Sequence, residues 1–214
     1  MSIGIPTTNQ ILPFSEEALQ YKSKQFLPGS LGALFYEQYA ATSAVSTTGV
    51  SLVNNTATTA NGTPYFPAGA WNWNNGYSPS GGAPTLVGPG GMVNVKIMGT
   101  LTTSGSPAFQ LVFKWGANTL STVAANTPSV VASAPFIIDL YAWVSVYGSG
   151  TTGSIVSQGT LTYWSASALS GAAFPLTTTA SIDTTIAGLF DVLTTGTITT
   201  TAFTPTAVLM TALN

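Results

Sequence analysis

From Phe136 to Tyr147 the chain alternates without a break. Phe136, Ile138, Leu140, Ala142, Val144 and Val146 fall on one parity, and Ile137, Asp139, Tyr141, Trp143, Ser145 and Tyr147 on the other. A period of two places the first set on one face of a β-strand and the second set on the opposite face. The run Gly148-Ser149-Gly150-Thr151-Thr152-Gly153 then supplies residues that tolerate positive φ. From Ile155 to Trp164 alternation resumes with polar Ser157, Gln158, Thr160 and Thr162 interleaved. The pattern predicts a long antiparallel hairpin.

The same period recurs elsewhere. Val93, Val95, Ile97 and Leu101 alternate with Asn94, Lys96, Met98 and Thr100, Ser104-Gly105-Ser106-Pro107 turns the chain, and Phe109, Leu111, Phe113 and Trp115 alternate with Gln110, Val112 and Lys114. This predicts a second hairpin over these segments. Gly116-Ala117-Asn118 makes a turn before Leu120 to Ala125, and Ala166 to Thr185 reads as a small-residue and threonine link. A strand is expected around Ala187 to Leu193, and a closing strand or strand pair over Thr197 to Leu213. Pro205 interrupts the latter and suits an edge or a bulge. Thr47 to Val53 reads as a strand, and Ala33 to Ala44 as a strand or a second short helix, the strand being preferred. Strands at this spacing with no helices between them give an all-β, antiparallel sandwich, and long connections alternating with tight hairpins favour a jelly roll.

The first 35 residues differ from the rest. Five of the ten charged residues fall at or before Glu37. Ser15 is placed to cap a helix, with Glu16 and Glu17 at its N-terminal end, Lys22 and Lys24 near its C-terminal end, and Phe14 and Leu19 at the spacing of a hydrophobic staple. A helix over Ser15 to Gln25 stopped by Pro28-Gly29 follows, within an otherwise extended arm over residues 1–35. The arm either docks on a neighbouring molecule or folds back on its own sandwich, which would span 36–214. Residues 54–90 form a long irregular insertion with Asn61-Gly62, Pro64, Pro67, Gly81-Gly82 and a Trp71-Asn72-Trp73-Asn74-Asn75-Gly76 cluster. Loops of that length usually make a contact.

Composition narrows the function. Charged residues are 5% of the 214, against about 25% in ordinary soluble domains. Five Trp, eight Tyr and ten Phe exclude a disordered chain. A charge-poor surface rich in Thr, Ser, Gly and Ala is poorly protected against association, so much of it is expected to be covered by other chains. With four Lys and no Arg the chain lacks a basic patch, which argues against direct nucleic-acid binding. The stretch Met1 to Gln20 has no Lys or Arg and is broken by Pro6 and Pro13, so neither a signal peptide nor membrane association is expected. The absence of Cys is compatible with folding in a reducing cytoplasm.

No His and no Cys leaves neither a Ser-His-Asp nor a Cys-His constellation, nor a typical zinc site. Paired carboxylates need only two acids, and Asp139, Asp183 and Asp191 are the candidates. Asp139 is more simply an outward-facing acid on its strand, and Asp183 in Ser181-Ile182-Asp183-Thr184-Thr185 a turn former bonded to its own backbone. The expectation is a protein that is not an enzyme, with no cofactor and no bound metal. Trp71 and Trp73, beside several asparagines, have the chemistry to stack on a sugar while amides reach its hydroxyls. They serve equally to wedge the long loop against the sandwich or a neighbouring subunit, which is the reading preferred here.

Read together, Met92 to Leu101, Phe109 to Asn118, Ala134-Pro135-Phe136 entering the long strand, and Gly150 to Gly159 resemble the β-sandwich module of tailed-bacteriophage virion proteins. That module recurs in head decoration (cement) proteins, head fibres and tail fibres. Ile182-Asp183-Thr184-Thr185 followed by closing strands resembles its C-terminal part, so the likeness spans about residues 84–213. The chain departs from that pattern in lacking arginines on its strands, in the Trp-rich insertion and in the arm. The resemblance implies a jelly roll, a homotrimer and a place on the capsid exterior of a virion assembled in the host cytoplasm. It implies the major capsid protein as partner, with arms gripping the shell. The expected anchors are Phe14, Leu19, Tyr21 and Phe26 on the arm, then Trp71 and Trp73. The alternative is a fibre or receptor-binding head that recognises host glycans through Trp71, Trp73 and their asparagines.

Overall fold

The computed structural model describes residues 33–39, 44–53, 60–62, 65–66, 92–165, 168–195 and 198–213. The expected helix over Ser15 to Gln25 lies outside them. The described residues form β1 (Ala33–Tyr39), β2 (Ala60–Gly62), β3 (Tyr65–Phe66), β4 (Met92–Ala108), β5 (Leu111–Trp115), β6 (Asn118–Thr122), β7 (Ala134–Val146), β8 (Gly153–Ser165), β9 (Ala168–Ile182), β10 (Gly188–Thr194) and β11 (Thr199–Leu213). Two antiparallel sheets result: seven strands in the order β2-β1-β11-β4-β7-β8-β9, and four in the order β3-β10-β5-β6. The chain is all-β among these residues, and no described helix is long and apolar enough to cross a membrane.

Alternation in the sequence becomes alternation in burial. Phe136, Ile138, Leu140, Ala142 and Val144 of β7 are buried, as are Val93, Val95, Ile97 and Leu101 of β4 and Phe203, Val208, Met210 and Ala212 of β11. From the smaller sheet Leu111, Phe113, Trp115, Phe190 and Val192 join the same core. Each of these large side chains contributes on the order of 1.5–3 kcal/mol by leaving water. The predicted hairpin is present as β7 and β8, paired from Phe136↔Tyr163 to Val146↔Ser154. Its turn is held from outside, where Gly148 N donates to Thr184 Oγ1 at 2.8 Å, and Thr184 is fully buried.

The second hairpin is not formed. β4 continues through Ser104 to Pro107, pairing with β7 and β11, whereas β5 pairs with β6 and β10 in the other sheet. Alternation reports that one face of a strand is buried. It is silent on whether the next strand lies beside the first, hydrogen-bonded, or opposite it across the core. Thr47 to Val53 is likewise not a strand: Val45 bridges Phe203 in the large sheet and Ser51 bridges Leu193 in the small one, with a turn at Gly49 between. A segment that hands itself from one sheet to the other has no ladder of its own. The link expected over Ala166 to Thr185 is instead β9, an edge strand along β8. Only Phe174 and Ile182 of β9 are buried, so the apolar alternation that would announce a strand is missing.

Edges are managed with hydroxyls. β6 and β9 end the two sheets on the same side, and Ser121 Oγ donates to Pro175 O at 2.9 Å, Thr179 Oγ1 to Thr119 O at 3.1 Å, and Ser157 Oγ of β8 to Leu120 O at 2.9 Å. Carbonyls that an edge strand would leave to solvent or to another chain are thereby satisfied inside the molecule. Pro205 sits at a bulge in the central strand β11, opposite Gly99 of β4. A proline in a central strand is tolerated at a bulge because the ladder is already interrupted there.

Two glycines are required by what lies against them. A Cβ at Gly99 would stand 2.2 Å from Thr204 O and 2.9 Å from Phe136 Cε1, and a Cβ at Gly188 would stand 2.1 Å from the Trp115 ring. Backbone and a buried indole cannot yield as a surface side chain can. Gly188→Ala is expected to lower unfolding free energy by about 3 kcal/mol, read as a fall in the urea midpoint. Ala187→Gly, at an exposed neighbour, should cost well under half as much.

Candidate functional site

The anchors expected from sequence, Phe14, Leu19, Tyr21, Phe26, Trp71 and Trp73, all lie outside the described residues. The three candidate acids are described, and the fold separates them. Asp139 stands on the outer face of the large sheet, 3.5 Å from Lys96 Nζ, and accepts from Asn94 Nδ2 at 2.6 Å. Asp191 is on the outer face of the small sheet, where Ser51 Oγ donates to it at 2.5 Å and Val192 N at 2.7 Å. Asp183 accepts from Thr185 N at 2.9 Å and Thr185 Oγ1 at 2.6 Å, the turn-forming arrangement its local sequence predicts. Among the described residues no group of three or more His, Cys, Asp or Glu could hold a metal.

Their environments push the turn acid Asp183 and the β10 acid Asp191 in opposite directions. The Thr185 hydroxyl, with backbone N–H groups of Gly150, Thr185 and Ile186, holds Asp183 below the usual carboxylate range. Burial pushes Asp191 up, partly offset by Ser51, the Val192 N–H and Lys114.

The feature that sequence reasoning missed is the outer side of the β8–β9 hairpin. Trp164 and Leu169 are direct cross-strand partners and are 56% and 60% exposed. Ile137 of β7, paired with Thr162, is diagonal to Trp164 and also exposed, and Leu176 lies further along β9 at 65%. Cross-strand neighbours at these positions are within reach of one another. Between Asp139 and Asp183 the sequence contains no charged residue. That run was the available signal. Soluble monomers normally protect such an edge with lysine or another charge, and this one carries none.

No protein-family model matches the chain, and neither a curated protein nor a solved structure shows significant similarity to it.

The upward shift of Asp191 gives a pH signature. Between its ordinary value near ~4 and its raised folded value, the native state holds the proton that the unfolded state has lost. Stability therefore falls as pH rises through that window. Asp191→Asn keeps an oxygen for Ser51 and Val192 N–H but cannot titrate. Urea unfolding from about pH 3 to about pH 7 is expected to show the variant gaining on the wild type as pH rises. A difference that moves the other way would reverse the assignment.

Proposed function

We propose that the protein is a capsid decoration (cement) protein of a tailed bacteriophage. In this reading it assembles as a homotrimer on the outside of the head, bridges neighbouring major capsid protein subunits, and resists the outward pressure of packaged DNA without performing a reaction. The observation that carries the reading is the uncharged, partly apolar outer side of the β8–β9 hairpin, with Trp164 and Leu169 exposed near Ile137 and Leu176 exposed further along β9. Covering such a surface gains about 25 cal/mol per Å² of apolar area, and stable interfaces bury on the order of 1,600 Å² in total. Exposed threonines and serines around it supply orienting hydrogen bonds without the desolvation cost of charges. The pattern resemblance over residues 84–213 points to the same class of protein.

The sandwich is read as jelly-roll-like on its crossings. β4 and β7 are neighbours in the large sheet although β5 and β6, between them in sequence, belong to the small one, and the chain crosses again from β10 to β11. The β7-β8-β9 meander is its departure from that plan. The arm expected over residues 1–35, whose last three residues begin β1, is assigned the grip on the shell, and Trp71 and Trp73 of the alternative glycan-binding head lie outside the described residues.

Two variants test the proposal. Trp164→Lys/Leu169→Lys adds charge to an exposed face and should leave the far-ultraviolet circular dichroism unchanged while reducing attachment to undecorated heads of the encoding virus by at least about tenfold. Deleting residues 1–30 should abolish attachment and leave the sandwich folded. Full-length protein that stays monomeric at high concentration and ignores those heads would reject the reading.

A further inference from the structure

The outer face of the four-stranded sheet carries a depression of about 370 Å³, at the small end of the range for ligand pockets. Register explains its lining. Gln110, just before β5, and Val112 and Lys114 on it follow one another at two-residue spacing, so the polar residues at either end stand about 13 Å apart. Leu193 of β10 and Thr122 of β6 flank Val112, and Thr119 flanks Lys114 on its β6 side. The result is an apolar floor, Val112 and Leu193, between an amide at one end and an ammonium at the other, with Thr119 and Thr122 on the β6 side and Thr48, Gly49, Thr194 and Thr195 completing the lining. Lys114 is the one charged residue in the lining, and its cross-strand partner Asp191, outside the lining, accepts from Ser51 Oγ and the Val192 N–H.

We propose that this depression binds a carboxylated sugar, a uronate unit of an acidic oligosaccharide. Its carboxylate pairs with Lys114, its hydroxyls meet Thr119, Thr122 and Gln110, and the C–H face of a ring rests on Val112 and Leu193. Three alternatives fit less well. A nucleic acid or another dense polyanion needs several cations, and the site has one. An extended peptide recognised through its backbone needs an open strand edge, but β5 is hydrogen-bonded on both sides, to β10 and to β6. A neutral apolar ligand would leave the lysine and the amide unanswered. Threonine hydroxyls and a glutamine amide both donate and accept, which is what the hydroxyls of a sugar also do. The depression lies on the opposite sheet from the Trp164 and Leu169 surface, so it stays open when that surface is covered, and it stands whether or not the protein decorates a capsid.

The test is an amide-shift titration of the full-length protein with digalacturonic acid, and with the neutral disaccharide galactobiose for comparison. Saturable shifts at Val112, Lys114, Thr119 and Thr122 are expected with the acidic sugar, and affinity at least about tenfold weaker for the neutral one. Lys114→Met keeps the aliphatic stem and should weaken digalacturonate by at least about tenfold, and Thr122→Val should weaken it less, with attachment to heads unchanged in both. No saturable shift at these amides, or equal affinity in Lys114→Met, would overturn the proposal. Loss of head attachment in Trp164→Lys/Leu169→Lys with digalacturonate binding intact would separate the two functions.

Discussion

The packing of the two sheets depends on a joint of three phenylalanines. The Phe203 ring meets Phe109 at 5.2 Å and Phe136 at 5.4 Å between centroids, both nearly perpendicular. Edge-to-face pairs of this kind contribute roughly 0.5–1.5 kcal/mol beyond the area they bury. Phe136 is on β7 and Phe203 on β11, which are not neighbours: β4 runs between them. Their rings touch because the β4 residue opposite Phe136 is Gly99, where any side chain would collide with that ring and with the β11 backbone. The third ring, Phe109, stands where the chain leaves the large sheet for the small one, bonded to Asn126 through its backbone. Val45 also anchors to Phe203. Two crossings between sheets are therefore referenced to Phe203, one through its ring to Phe109 and one through its backbone to Val45, and the missing Cβ of Gly99 makes room for the Phe136 ring against it.

Around that joint, hydroxyls take the part that charges and amides take in most domains. Thr103 is buried, donates to Ser129 O at 2.8 Å and accepts from Val131 N at 2.8 Å. Thr194 donates to Thr47 O and Thr184 receives Gly148 N, each tying a loop to a strand. A buried backbone group left unpaired costs about 1–3 kcal/mol, so every such hydroxyl prevents a loss larger than the net gain of an ordinary hydrogen bond. Part of the threonine and serine content is thus spent inside the molecule. Composition alone attributes too much of it to covered surface, and the argument for an interface has to be made from specific exposed residues.

This bears on what was legible in the sequence. Parity was legible: Phe136 to Val144 and Val93 to Leu101 point inward as their alternation predicts, because a period of two leaves no choice of face once one side is buried. Pairing was legible where a tight turn joined the strands, as at Gly148 to Gly153, and illegible where the chain crossed the core, as at Ser104 to Pro107. β9 was hidden because alternation is a burial signal and an edge strand with two exposed faces emits none. The site fared worst. Trp164 and Leu169 become neighbours only through the β8–β9 register, and Lys114, Thr119 and Thr122 meet only because β5 pairs with β6 with an irregularity between Phe113 and Lys114.

The charges that are described are not spread evenly, and their distribution gives the molecule two unlike sides. Glu37 is on β1, Lys96 and Asp139 sit on β4 and β7 as a mutual pair, Lys114 and Asp191 face each other in register on the small sheet, and Asp183 is folded into its own turn. None falls on β8 or β9. Most of these charges are engaged locally, by an ion pair or by hydrogen bonds to nearby groups, so the protein's few ions do little to repel other molecules. A second copy or a neutral partner approaching β8–β9 then meets no electrostatic barrier and no desolvation cost from ions. On the small sheet the same approach would have to strip water from Lys114 and from the hydroxyls beside it. The physical asymmetry is one of desolvation: one side is cheap to cover with protein, and the other is better answered by a small polar ligand that replaces the water it displaces.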